Sequence, residues 1–292
     1  MALNITLGEG NTPLLPAPRL SERLGCELWL KWEGANPTGS FKDRGMVVAV
    51  SRALARGAPG VVCASTGNTS ASAAAYAARA GLRAVVLLPE GAVARGKVAQ
   101  AVAFGAELRQ IPGSFEDVHL AARQLADQEG FVNVNSINPD RIEGQSSAAK
   151  EIVEQLGGRT LDVLALPYGG GGNTVAYARG FTEAGTGLPQ LLLGEAANRG
   201  DTFASAIRIV SPVHRPEVEA ALARSEGQIV SLAEEQIERA WRSIAREEGL
   251  FCEPASAAGV AAVEPAGIEA GSRVVCVVTG HGLKDPDAVD RL

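Results

Sequence analysis

Short runs of β-branched and aliphatic residues alternate with alanine-rich segments, and no other feature narrows the possible folds as much. "GVVCAS" is followed by "SASAAAYAARAG", "RAVVLLP" by "ARGKVAQAVAFGA", and "LDVLALPY" by "NTVAYARGFTEAG". Continuous apolar runs of this length read as strands buried on both faces, and the segments between them carry helical spacing. That rhythm implies a parallel sheet with helices on both sides, because a parallel neighbour is reached only by a crossover connection. Local punctuation agrees: Gly81 and Gly105 fall where helices should stop, and Ser231 with Glu234 reads as a capping box opening "SLAEEQIERAWRSIAREEG". In that helix Ile237, Ala240, Trp241, Ile244 and Ala245 share one face, which makes Trp241 a core residue.

At 292 residues the chain is long enough for two domains of about 100 to 200 residues each. No internal repeat, low-complexity tract or flexible linker divides it, so two domains would exchange chain segments across a packed boundary. We expect a smaller domain over residues 43–141 and a larger one built from 1–42 and 142–292.

The net charge is −6 and no basic block stands out, which argues against nucleic acid or an anionic membrane surface as the main partner. No stretch reaches the ~18 apolar residues of a membrane helix, and "MALNITLGEG" has neither the basic nor the apolar region of a signal peptide. Cys26, Cys63, Cys252 and Cys276 are far apart, and His119, His214 and His281 are equally scattered, so no metal site is expected. Free thiols suit a reducing cytoplasm. A small molecule is the expected partner.

In an open parallel sheet, ligands gather beyond the carboxyl ends of the strands, so the strand-to-helix loops are the places to search. "PYGGGGNT", Pro167 to Thr174, puts Gly169, Gly170, Gly171, Gly172 and Asn173 between a strand and a helix. Successive N–H groups there can converge on an anion, aided by the helix dipole. The alternative is a glycine-rich turn that allows close packing. A complete G-x-G-x-x-G unit and a G-K-[ST] arrangement are both missing, so the motif is neither a dinucleotide fingerprint nor a P-loop. "ASTGNTSAS" crowds Ser65, Thr66, Gly67, Asn68 and Thr69 at a second helix start, where simple capping competes with carboxylate or phosphate recognition. "CVVTGHGLKDP" ends a third strand at Thr279, the better placed group there than His281. "NPTGSFKDRG", Asn36 to Gly45, sets Lys42 where the chain turns helical, with Ser40 as the expected cap. Burial and a helix N-terminus both disfavour an ammonium ion at such a position. Asp43 and Arg44 read as ion-pair or capping residues.

Together the motifs resemble the fold-type II pyridoxal-phosphate enzymes, and within them the threonine synthases. The matching stretches are "GEGNTPL" at 8–14, "NPTGSFKDRG" at 36–45, "STGNTSASAAAYAARAG" at 65–81, "VNSINPDRIEGQ" at 134–145, "AIRI" at 206–209, "FCEPASAA" at 251–258 and "TGHGLKD" at 279–285. The resemblance implies two open, twisted, mainly parallel sheets flanked by helices, with the active site between the domains. It implies pyridoxal 5'-phosphate bound to Lys42 as a Schiff base, its phosphate held by Gly169 to Gly172 with Asn173, its ring hydroxyl met by Asn68, and its pyridine nitrogen faced by Thr279. A neutral hydroxyl at that last position does not force the nitrogen to stay protonated. The implied substrate is O-phospho-L-homoserine. Ser65 to Thr69 match the cradle for its carboxylate, while Thr69, Ser136 and Arg141 match positions that grip its phosphate. Lys42 would move protons during γ-elimination of phosphate, and water would add at Cβ to give L-threonine. A homodimer is implied as well. Asp140 stands where the threonine synthases usually have an aromatic residue, and the glycine loop reads "GGGGN" rather than "GNAGN". Two other activities are compatible with parts of the pattern: a serine or threonine dehydratase working by β-elimination, and a non-catalytic protein that binds a phosphorylated metabolite.

Overall fold

The computed structural model describes residues 5–91 and 95–291. Contacts divide the chain into two compact units, one of residues 1–9 and 36–145, the other of 10–35 and 146–292. The order of elements is β1 (Leu14–Pro16), α1 (Pro18–Leu24), β2 (Glu27–Trp32), α2 (Lys42–Ala55), β3 (Gly60–Ala64), α3 (Asn68–Ala80), β4 (Arg83–Pro89), α4 (Arg95–Ala103), β5 (Glu107–Ile111), α5 (Phe115–Glu129), β6 (Val132–Asn133) and α6 (Pro139–Gln155). It continues with β7 (Val163–Pro167), α7 (Gly172–Ala184), β8 (Gln190–Ala196), α8 (Arg215–Ser225), β9 (Gln228–Leu232), α9 (Glu234–Glu248), α10 (Ala257–Val263) and β10 (Arg273–Val278).

The first unit holds a four-stranded parallel sheet in the order β5-β4-β3-β6. Because successive side chains of a strand point to opposite faces, its two central strands feed two cores at once. Val61, Cys63, Val86 and Leu88 pack with α2, α3 and α4 on one side. Val62, Ala64, Val85 and Leu87 pack with α5 on the other. The alanines of α3 let its backbone lie close to the sheet, and Gly81 ends the helix in the left-handed conformation read from the sequence.

The second unit holds six strands in the order β1-β2-β10-β7-β8-β9, parallel except for β1 against β2. Strand β10 shows the same double burial. Val274, Cys276 and Val278 face the core made with α1, α9 and α10, while Val275 and Val277 face the one made with α6, α7 and α8. Trp241 is in that first core, 1% exposed, with its indole N–H donated to Cys252 O at 2.6 Å. The expected capping box at Ser231 is not formed. Ser231 is a residue of β9 paired with Glu195, and α9 begins three residues later, where Gln236 Oε1 accepts the Ala233 N–H at 2.9 Å. Strands β7 and β10 are neighbours, so the loops that follow them leave adjacent points on the carboxyl edge of one sheet.

Candidate active site

In the first unit the residues singled out from the sequence cluster around the starts of α2 and α3. Lys42 is the first residue of α2 and half-buried, with Nζ 4.3 Å from the centroid of the Phe41 ring. The cap differs from expectation: Phe41 occupies the capping position without a side-chain bond, and Ser40 Oγ lies 3.4 Å from the Lys42 N–H. The segment is organised instead by Asp43, which is fully buried and accepts from Thr38 N at 2.7 Å, Thr38 Oγ1 at 2.6 Å and Ser72 Oγ at 2.6 Å. The last of these ties the first turn of α2 to α3.

Ser65, Thr66 and Gly67 form the loop between β3 and α3, with Asn68 and Thr69 as the first residues of the helix. Gly67 N–H donates to Ser65 Oγ at 3.2 Å, and Ser70 Oγ donates to Gly67 O at 2.7 Å, so the loop is tied by its own hydroxyls. Behind it, the side chain of Asn135 donates to Ala64 O and accepts from Ala64 N, both at 2.9 Å. Ser136 is half-buried beside Asn135. Arg141 is 1% exposed, and burial pushes its guanidinium down to about 10, opposed by charge from Cys63 and Asp43. It donates through Nη1 to Val134 O at 2.8 Å and through Nη2 to Gln145 Oε1 at 3.2 Å. Asp140 pairs with Arg52, whose other nitrogen reaches Glu143 Oε1 at 2.6 Å.

In the second unit Gly169 to Gly171 lead from β7 into α7. Gly171 has φ +87°, and a Cβ there would stand 2.8 Å from Val218 Cγ2, so both conformation and space require glycine. The loop carbonyls are held from behind: Gly170 O accepts from His214 N at 3.1 Å, and Gly169 O from Arg199 Nη1 at 3.3 Å. Among the described residues none accepts from the N–H of Gly169, Gly170 or Gly171, and the first N–H groups of α7 lack intrahelical partners, as in any helix. Asn173 Nδ2 and Thr174 Oγ1 are buried with no hydrogen-bond partner. An array of donors with nothing to bind is costly unless an acceptor fills it.

Thr279 follows β10 and is 5% exposed. Its hydroxyl donates to Glu253 Oε1 at 3.0 Å and lies 3.0 Å from Ser256 Oγ. His281 is a turn residue whose Nδ1 accepts the Leu283 N–H at 3.1 Å. All four cysteines are buried and free, and no group of three or more potential metal ligands occurs among the described residues.

The sequence left Glu253, Ser256, Arg199 and Asn135 without roles. "FCEPASAA" and "VNSINPDR" contained three of them, yet only their side-chain contacts show what they support. Arg199 had a signal in its spacing from Glu195, to which its Nε donates at 2.9 Å, but nothing in that spacing points to the glycine loop.

The comparisons agree over nearly the whole chain. The family described as "Pyridoxal-phosphate dependent enzyme" matches residues 5–280. The threonine synthase of Mycobacterium leprae (strain TN) is 51% identical over 304 aligned positions, covering 97% of this chain and 84% of that protein. The threonine synthase of Methanocaldococcus jannaschii is 45% identical over 316 positions, covering 98% and 78%. Among solved structures, maize serine racemase superposes with a TM-score of 0.85 at 20% identity over 99% of this chain and 93% of that one, a likeness of fold. The threonine deaminase of T.th. gives a TM-score of 0.81 at 28% identity over 95% and 94%.

Proposed function

The chain belongs to the family of pyridoxal-phosphate-dependent enzymes, and we propose on that footing that it converts O-phospho-L-homoserine to L-threonine, eliminating phosphate from Cγ and adding water at Cβ. The observation that carries the reaction is the 45% to 51% identity to threonine synthases along nearly the full chain. The residues present also fit the cofactor. The bare N–H groups at Gly169 to Gly171 and the unpartnered Asn173 Nδ2 and Thr174 Oγ1 suit its phosphate, an acceptor-only group.

Pyridoxal phosphate, when bound, supplies an electron sink that makes protons beside the substrate amino group labile. The protein's part is to bind, orient and move protons. Lys42 is proposed to hold the cofactor covalently, then to move the protons at substrate Cα and Cβ: removal of a proton from Cβ lets phosphate leave Cγ, a proton is gained at Cγ, and water adds its hydroxyl at Cβ. Asn68 is proposed for the ring hydroxyl and Thr279 for the ring nitrogen. Ser65, Thr66, Gly67 and Thr69 are proposed to receive the substrate carboxylate, supported by their position at the N-terminus of α3. Thr69 and Ser136 would hold the leaving phosphate. Arg141 is proposed to grip it as well: Nη1 and Nη2 already serve Val134 O and Gln145 Oε1, while its Nε is buried with no hydrogen-bond partner. The domain division at 43–141, a homodimer and a cytoplasmic setting complete the proposal. Four buried free thiols support the last, and sedimentation would test the dimer.

The test is incubation of the holoenzyme with O-phospho-L-homoserine while threonine, phosphate, ammonia and 2-oxo acid are followed together. Threonine and phosphate in equal amounts are expected. The rival activity, suggested by the likeness to threonine deaminase, would give ammonia and 2-oxo acid from threonine itself and no phosphate.

A further inference from the structure

The glycine loop has no side chains of its own to fix the direction of its peptide groups, so contacts from behind must do so. A peptide unit is planar and trans, which makes a carbonyl and the N–H of the next residue point in opposite directions. Gly169 O is taken by Arg199 Nη1 at 3.3 Å and Gly170 O by His214 N at 3.1 Å. The N–H groups of Gly170 and Gly171 are thereby aimed away from that wall, and no described residue accepts from them. Without a Cβ on either side, such a unit can rotate against little steric resistance. Rotated, it would aim a carbonyl oxygen at an incoming anion in place of a donor.

Arg199 can only donate, so the direction of its bonds is not in question. Its Nη1 also donates to Ile209 O at 3.0 Å, which joins the loop to the segment behind it. That segment lies directly against the loop, since a Cβ at Gly169 would stand 3.3 Å from Ile207 Cα and one at Gly170 3.6 Å from Ile209 Cδ1. The guanidinium is itself fixed. Nε donates to Glu195 Oε2 at 2.9 Å, Nη2 reaches the same oxygen, and Cζ lies 4.4 Å from the centroid of the Tyr168 ring. Tyr168 N donates to Gly194 O at 2.7 Å, so ring and carboxylate both sit on the paired ends of β7 and β8. A guanidinium bonded to a carbonyl also polarises that amide and strengthens its N–H as a donor.

We propose that Arg199 is a positioning residue for the cofactor phosphate: it fixes the peptide between Gly169 and Gly170 so that the Gly170 N–H is already presented when the phosphate arrives. This rests on the reading that the loop holds that phosphate. Glu195 matches the charge of Arg199, so the effect comes through the hydrogen bonds and not through net charge.

The experiment titrates the apoprotein with pyridoxal phosphate and with pyridoxal, which has the same aldehyde and no phosphate, following the visible absorbance. The ratio of the two affinities isolates what the loop contributes, and wild type is expected to prefer pyridoxal phosphate. Arg199→Met is expected to lose about tenfold or more for pyridoxal phosphate, the size of one hydrogen bond to a charged group, and less than about twofold for pyridoxal. Arg199→Lys, a single point donor, is expected to fall between wild type and Arg199→Met. Adding Glu195→Gln to Arg199→Met removes the carboxylate left unpaired, and the loss is expected to persist. An unchanged ratio in both Arg199 variants, or a ratio restored by Glu195→Gln, overturns the role of Arg199 and leaves the loop as the phosphate site. Equal affinity of wild type for the two ligands refutes the loop as phosphate site and the proposal with it.

Discussion

Replacing Asp43 with alanine removes one buried carboxylate and strands the groups that point at it. Thr38 N, Thr38 Oγ1 and Ser72 Oγ donate to it at 2.7, 2.6 and 2.6 Å, and the carboxylate itself is fully buried. A stranded buried donor costs about 1 to 3 kcal/mol. The two hydroxyls can rotate towards other acceptors while the backbone N–H cannot, which places the total near the lower end of the sum, about 3 to 5 kcal/mol. Asp43 also opposes the effect of burial on Arg141, so its loss leaves that guanidinium with less opposite charge nearby. Such a loss is a large fraction of a typical stability of about 5 to 15 kcal/mol. Urea unfolding of the apoprotein, followed by circular dichroism, reads it directly. Because Asp43 ties the turn before Lys42 to α3, cofactor loading, read by visible absorbance, should weaken as well. Asp43→Asn keeps one acceptor oxygen and should lose less. A loss under about 1 kcal/mol in Asp43→Ala, with unaltered loading, would refute the view that this carboxylate organises the lysine segment.

Gly171→Ala should destabilise the apoprotein by about 2 to 5 kcal/mol, from left-handed backbone and overpacking against Val218. Gly170→Ala, whose new methyl would meet only Ile209 Cδ1 at 3.6 Å, should stay within about 0.5 kcal/mol of wild type. Equal melting of the two variants would contradict the assignment of strain to position 171. Lys42→Ala should fold, since alanine suits the first turn of a helix, yet lose the visible absorbance of the bound cofactor and its retention after borohydride reduction. The side-chain hydrogen bond from Arg273 holds the Glu27 carboxyl below its ordinary 4.5, against a smaller effect of burial, with help from Trp29 and Arg159. A lowered folded value means that its contribution is complete above 4.5 and is lost as pH falls through the folded value. Glu27→Gln should therefore flatten the acid limb of a stability-against-pH curve; a limb as steep as wild type would show that the pair is too solvated to matter.

The double-sided burial of the strands was legible because it depends on local pattern alone: apolar runs such as "RVVCVV" fill both faces of a sheet wherever it lies. The loops that hold the candidate residues were legible for the same reason, since each lies where such a run stops at Gly, Ser or Thr. Helix starts were less so. Ser231 looks like a cap in sequence, but strand pairing with Glu195 claims it first, and the same competition leaves Ser40 at 3.4 Å while Asp43 binds the turn. The support behind Thr279 was hidden altogether. Glu253 and Ser256 lie 26 and 23 positions away along the chain and meet it only because of the path taken after α9. The anchor of the glycine loop is a similar case. Arg199 reaches Gly169 O across 30 positions and Ile209 O across 10, contacts that the i, i+4 pairing with Glu195 gives no reason to expect.

The central claim, elimination of phosphate followed by addition of water at Cβ, is tested most directly by running the reaction in heavy-oxygen water and weighing both products. Carbon–oxygen cleavage predicts the heavy atom in the threonine hydroxyl and none in the phosphate released. Heavy oxygen in the phosphate, accompanied by homoserine in place of threonine, would mean simple hydrolysis of the ester and would contradict the account.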